Sequence, residues 1–134
     1  MNIYYYLDPV LGLCPVKKYL GKFSDEKKLL ININSKIKSV ASDGYPAPPI
    51  ARSLIGYPIF EIKQAFKDIN IRILCAFFSN ELILLHAFDK PRYYNNNEKK
   101  VNKDIERNYN IGEKCYNTLK VTKKKYEKYK EEYK

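Results

Sequence analysis

The chain contains no tryptophan, one methionine, one histidine, three cysteines and five glycines in 134 residues. Cys14, Cys75 and Cys115 lie far apart, form no CxxC pair and have no histidine beside them. That spacing argues against a metal site or a disulfide framework, and an odd count suits a reducing compartment. Cys75, inside an apolar run, reads as a small buried hydrophobe. No apolar stretch approaches the ~18 residues that a membrane span requires. The first residues, MNIYYYLDPVLGLCPVKK, carry no basic segment ahead of a clean apolar one, so no secretory signal is read. These absences point to a cytoplasmic protein with no membrane segment, no metal and no cofactor.

What is present is apolar bulk and positive charge. Apolar residues make up 45% of the chain, enough for one compact core in one domain. Twenty-five Lys and Arg stand against 15 Asp and Glu, a net charge of +10. The balance favours a polyanionic partner, with nucleic acid ahead of an anionic membrane surface or an acidic protein. An AT-rich coding sequence also raises Lys, Asn, Ile and Tyr, so the charge alone names no function.

Along the chain, NIYYYL (residues 2–7) reads as a short strand closed by Asp8-Pro9. CPVKKYLGKF places Pro15 at the first position of a short amphipathic helix. SDEKKLLININSKIKSVASDG follows as the best helix, with Ser24 or Asp25 as its cap and two acids in its first turn. Its apolar stripe is Leu30, Ile33, Ile37, Val40 and Ala41, and Gly44 is its stop. The proline-rich segment 45–51 is an extended connector. PIFEIK (58–63) alternates as a half-buried strand. INIRILCAFF and ELILLHAF are two further strands joined at Ser79-Asn80-Glu81. A helix resumes at Glu98 with Val101, Ile105 and Tyr109 as its stripe, pauses at 110–112 and continues through Cys115 and Leu119. Residues 120–134 hold seven Lys and three Glu and read as a solvated helical extension or disordered tail. The expected fold is α+β. A small, mainly antiparallel sheet (N-terminal strand plus three-strand meander) has two N-terminal helices on one face, and a C-terminal helix follows. The domain covers 1–119 and the Lys-rich extension 120–134. The economical packing puts the helices on one side of the sheet.

Within this scheme the chain places Arg72 and its only histidine, His86, in apolar strands. A three-residue turn at 79–81 pairs 74 with 86 and 72 with 88, so both side chains leave the same face; a two-residue turn separates them. With Glu61 and Lys63 on the neighbouring strand, the set suits metal-free RNA cleavage. One group takes a proton from the 2′-OH, another protonates the leaving 5′-oxygen, and cations hold the phosphorane charge. Arg72, Lys63 and Lys90 could supply the cations, and His86 or Glu61 could transfer the protons. Plainer readings stand beside these. Arg72 could pair with a carboxylate such as Glu61, His86 could be a satisfied core residue, and Glu61 and Lys63 could face solvent. In DKPRYYNNNEKK (89–100), Lys90 and Arg92 interleave with Tyr93 and Tyr94, a pattern that grips phosphates and unstacked bases, or an ordinary hydrophilic loop. Arg52 is a further candidate RNA contact.

The order of PVKKYL, a helix ending in DG, IFEIK, IRILCAFF, LILLHAFDK and EKKVNKDIERNY resembles the HigB-like branch of the RelE/ParE toxin superfamily. The resemblance covers roughly the first four-fifths of the chain. It implies a type II toxin, commonly an endoribonuclease cutting messenger RNA on the ribosome, neutralised by an antitoxin of helix-turn-helix type. Residue by residue, it places the family's strand arginine at Arg72, a second cation at Lys63, its histidine at His86 and its post-strand cation at Lys90. Lys63 stands where the family has arginine, which keeps charge but loses bidentate phosphate geometry. The family's double lysine is broken as Lys90-Pro91. Two other readings remain at this level: a ParE-like inhibitor of DNA gyrase without catalysis, and a catalytically inactive RNA- or ribosome-binding module.

Overall fold

A computed structural model describes residues 1–93, 96–122 and, for the backbone, 126–128. The elements are β1 (Asn2–Tyr6), α1 (Pro15–Gly21), α2 (Lys27–Asp43), β2 (Ala51–Ser53), β3 (Phe60–Phe66), β4 (Ile69–Phe78), β5 (Glu81–Pro91), α3 (Glu98–Thr122) and β6 (Tyr126–Lys128). They build the expected α+β fold around one mixed sheet of order β2-β3-β4-β5-β1-β6. β1 runs parallel to β5, and the other neighbours are antiparallel. Among the described residues no helix is long and apolar enough to cross a membrane.

The packing has three layers, not two. Val16, Leu20, Ile33 and Ile37 of α1 and α2 pack on Ile62, Ile71, Ile73 and Leu84, forming one core. Leu74, Ala76, Ile83, Leu85 and Phe88 leave the opposite face and pack with Cys115 and Leu119 of α3, forming the second. Strands β4 and β5 are apolar on both sides, so leaving either face open would expose large side chains to water. That is why α3 covers the second face. Cys75 is fully buried, as its surroundings in the sequence suggested.

Four local expectations are corrected. Helix α2 starts one or two residues late: its N-cap is Glu26, with no side-chain cap bond and no acid in its first turn. The residues before it are held instead by a turn in which Glu26 N–H donates to the Phe23 carbonyl at 2.8 Å. Helix α3 does not pause at 110–112 but runs unbroken from Glu98 to Thr122. Gly112 lies inside it because a Cβ there would come within 2.6 Å of Leu74 Cδ1 and 3.0 Å of Ile59 Cδ1. The proline-rich connector ends in a short edge strand, β2, beside β3. Within the Lys-rich extension, residues 126–128 form β6, paired to β1. The outer edge of β1 would otherwise leave a row of backbone groups unpaired. The rest of that extension beyond Thr122 lies outside the described residues.

The β4–β5 hairpin is closed by a two-residue turn. Ser79 and Asn80 sit at φ 52° and 62°, the left-handed pair that such turns need, and Phe78 faces Glu81. That register alone would place position 86 opposite Ile73 and under α1 and α2. A β-bulge between Leu74/Cys75 and their partners inserts Leu85 and resets the pairing to Leu74↔His86 and Arg72↔Phe88. The expected pairing is thus reached by a different device.

Candidate functional site

The register assembles the candidate residues in rows across the face beneath α3. Arg52, Glu61, Leu74 and His86 form one row over β2, β3, β4 and β5. Lys63, Arg72 and Phe88 form the next, and Ala65, Asn70 and Lys90 the third. Same-face neighbours on adjacent strands lie within side-chain reach. Arg52, Lys63, Arg72 and Lys90 therefore share one patch with a single carboxylate, Glu61.

Glu61 is fully buried and its oxygens are occupied. Oε1 accepts from Arg72 Nη1 at 2.5 Å and from Arg52 Nε at 2.7 Å, and Oε2 accepts from the Tyr109 hydroxyl at 3.1 Å. The carboxylate raises the Arg52 pKa further. Burial, and secondarily the charge of Glu61, raises that of Tyr109. The Arg72 side chain is 7% exposed, and its buried Nε has no hydrogen-bond partner among the described residues. The plainer reading of Arg72 as one half of an ion pair with Glu61 is the one realised. Glu61, locked among three donors, is placed to hold charge rather than to shuttle protons. Lys63 and Lys90 are half-buried at the flank of the pair, and Arg52 is half exposed.

His86 sits at the far end of its row. Its Nε2 lies 2.8 Å from Asn108 Oδ1 on α3. The amide nitrogen of Asn108 donates to the Asp104 carbonyl at 2.8 Å, which fixes Oδ1 toward the imidazole. Nε2 must then be the protonated ring nitrogen, leaving Nδ1 with the open lone pair in the neutral ring. Burial lowers the His86 pKa and the Asn108 bond opposes this as the smaller effect, so the site favours the neutral ring. Phe88 lies stacked beside it, centroids 6.2 Å apart at 18°.

Arg72 and His86 thus leave adjacent strands on one face, yet they do not share a hollow. Gly112 brings α3 down onto Leu74, which stands between Glu61 and His86 in the row. Asn108 reaches His86 on one flank of the helix, and Tyr109 reaches Glu61 on the other. The Phe88 ring fills the space beneath, edge-on to Tyr109 at 6.1 Å. The cleft that His86 lines is walled by α1, the loop after β1 and α3, with neither Arg72 nor Lys63 in it. The single open site expected from the hairpin is corrected to two sites separated by a helix.

Of the loop candidates, Arg92 is exposed, and its Nη1 donates to the Lys67 carbonyl at 2.9 Å, so it braces the β3–β4 turn. Tyr93 is exposed, with the Arg92 guanidinium 6.0 Å from its ring centroid. Tyr94 lies outside the described residues. Sequence reasoning missed Asn108 altogether, since nothing in its neighbourhood marks it as the partner of a histidine 22 positions away. It read Tyr109 only as part of an apolar stripe, although its hydroxyl completes the Glu61 cage.

Comparisons of the chain with protein-family models, with curated proteins and with solved structures find no match.

Proposed function

We propose that this chain is a toxin of the RelE/ParE type that acts on messenger RNA as a metal-free endoribonuclease, with the ribosome and a helix-turn-helix antitoxin as its partners. The observation that carries the reading is the strand register: Lys63, Arg72 and Lys90 stand on three adjacent strands, on the face that also bears His86. In the reaction the 2′-oxygen attacks phosphorus as its proton leaves, a 2′,3′-cyclic phosphate forms, and the 5′-oxygen departs with a proton. Lys63 and Lys90 stabilise the phosphorane charge, with the Glu61-paired Arg72 behind them. A neutral His86 with a free Nδ1 accepts the 2′-OH proton, and the resulting imidazolium or water returns one to the leaving 5′-oxygen. With α3 between the cations and the imidazole, the two halves meet on one phosphate only if the helix shifts along the sheet when RNA enters.

The Glu61–Arg72 pair favours a second reading, in which the same fold acts without cutting, either as a gyrase-inhibiting toxin or as an RNA- or ribosome-binding module. Inducible expression in a bacterium separates these, using wild type, Lys63→Ala with Lys90→Ala, and His86→Gln, each checked for folding by circular dichroism. The expected result is growth arrest with cleaved mRNA for wild type and a loss of cleavage of about 100-fold or more for His86→Gln. Arrest that persists in His86→Gln with DNA damage supports the gyrase reading. Absence of both arrest and cleavage in wild type supports the binding module.

A further inference from the structure

The cleft lined by His86 is unused by the sheet-face cations and has the make-up of a ligand site. Strand β1 pairs with β5 only as far as Leu84, so beyond that point the β5 edge is covered by α1 and the loop that follows β1. The cleft left between these and α3 has a volume of about 450 Å³, within the range of small-molecule sites. Its floor is apolar, made by Leu11, Leu13, Pro15 and Ile111. Leu11 and Ile111 remain 66% and 39% exposed, so this floor is open to water as it stands.

The groups that could bind an anion or a donor there are the exposed Lys18 and Lys22, one helical turn apart, and His86. The Lys22 ammonium is held 4.2 Å from the Tyr19 ring centroid, and the Tyr19 hydroxyl is fixed by Asp89. One acid, Asp8, also lines the cleft, its Oδ1 accepting from the Val10 and Leu11 N–H groups at 2.8 and 2.9 Å. These bonds turn Oδ1 into its own loop, while its charge still reaches Cys115 on the cleft wall, so the two ammonium groups must outweigh one carboxylate. The ligand that this arrangement fits has a flat apolar body, a hydrogen-bond donor for the imidazole and a compact anion for two ammonium groups. A carboxylate or phosphate alone would leave the floor uncovered.

We propose that this cleft binds a nucleotide, with its phosphate between Lys18 and Lys22 and its base on the apolar floor against His86. The choice of a nucleotide over other aromatic anions rests on the RNA reading above. The cleft would then hold one residue of the strand on the side of α3 away from Arg72.

The test uses the full chain and the only imidazole in it as reporter. Adenosine 5′-monophosphate, adenosine and inorganic phosphate are titrated separately while the His86 ring resonances are followed by NMR. Saturable shifts with the monophosphate are expected, with adenosine at least about tenfold weaker, the usual loss when charge-assisted bonds are removed. Lys18→Ala with Lys22→Ala should weaken the monophosphate to the level of adenosine, whereas Lys63→Ala with Lys90→Ala should leave it unchanged. Unmoved His86 resonances, equal binding of adenosine and its monophosphate, or loss of binding in the Lys63/Lys90 variant would each overturn the cleft assignment. RNA cleavage is not read in this assay, so a chain that cuts RNA yet fails here keeps the proposed function and loses only the cleft.

Discussion

Glu61 is fully buried and ties three side chains together. A buried carboxylate facing two guanidiniums is tolerable only while its buried partner stays, because Glu61 and Arg72 were both removed from water to form the pair, whereas Arg52 remains half exposed. Glu61→Ala leaves Arg72 buried without its counter-ion and is expected to cost roughly 3–5 kcal/mol in urea unfolding. Glu61→Leu combined with Arg72→Met replaces the pair by apolar groups of similar size and should recover much of that loss. If the double variant is as unstable as Glu61→Ala, the argument about uncompensated charge is wrong. His86 allows a second test at this scale. Its folded pKa lies below the unfolded value, so the unfolded chain takes up the proton first. Stability from this group is complete above about pH 6.5 and falls as pH drops through the interval between the two values. The midpoint of thermal unfolding should therefore decline on acidification below that pH, and His86→Gln should remove this component of the slope.

At the scale of elements, the contact of α3 with the sheet depends on a missing side chain. Gly112→Ala would bring a Cβ to 2.6 Å from Leu74, which is itself fully buried. Overpacking of this kind costs about 1–3 kcal/mol, against the ~1 kcal/mol that alanine gains over glycine in a helix. A net destabilisation is expected, larger for Gly112→Val, together with loosened protection of the Asn108 and Tyr109 amides in hydrogen exchange. Unchanged or raised stability in both variants would mean that α3 is not seated on Leu74. The same contact marks the limit of what the primary structure discloses. The stripe from Leu30 to Ala41 and the alternation in β3 and β4 announce their elements because burial follows a simple period. Gly112 reads locally as a break, since only the partner strand shows why a residue without a Cβ belongs there. The pairing of Leu74 with His86 was reachable from the pattern, but the two-residue turn and the Leu85 bulge that produce it were not. Turn length and bulge offset each other, and the apolar sequence LILL fits either register. The separation of Arg72 from His86 was hidden for a related reason. It depends on where α3, whose Asn108 lies 22 positions beyond His86, crosses the sheet.

For the whole molecule, charge is the dominant property, at +10 net. Binding of a single-stranded RNA should weaken steeply with salt, because each phosphate neutralised releases condensed counter-ions. Lys63→Ala with Lys90→Ala should reduce the slope of log K against log salt by about 0.7 per lost phosphate contact, as measured by fluorescence anisotropy between low and physiological ionic strength. A parallel displacement of the lines, with no change of slope, would remove these two lysines from the RNA interface.

The placement of β1 bears on how the chain can be made. Asn2 pairs with Glu81 and Tyr6 with Tyr126, so β1 finds both of its neighbours far along the chain, 79 and 120 positions away. Its tyrosines have no sheet to join until β5 is in place, and closing loops of that length makes the docking of β1 a slow step of folding.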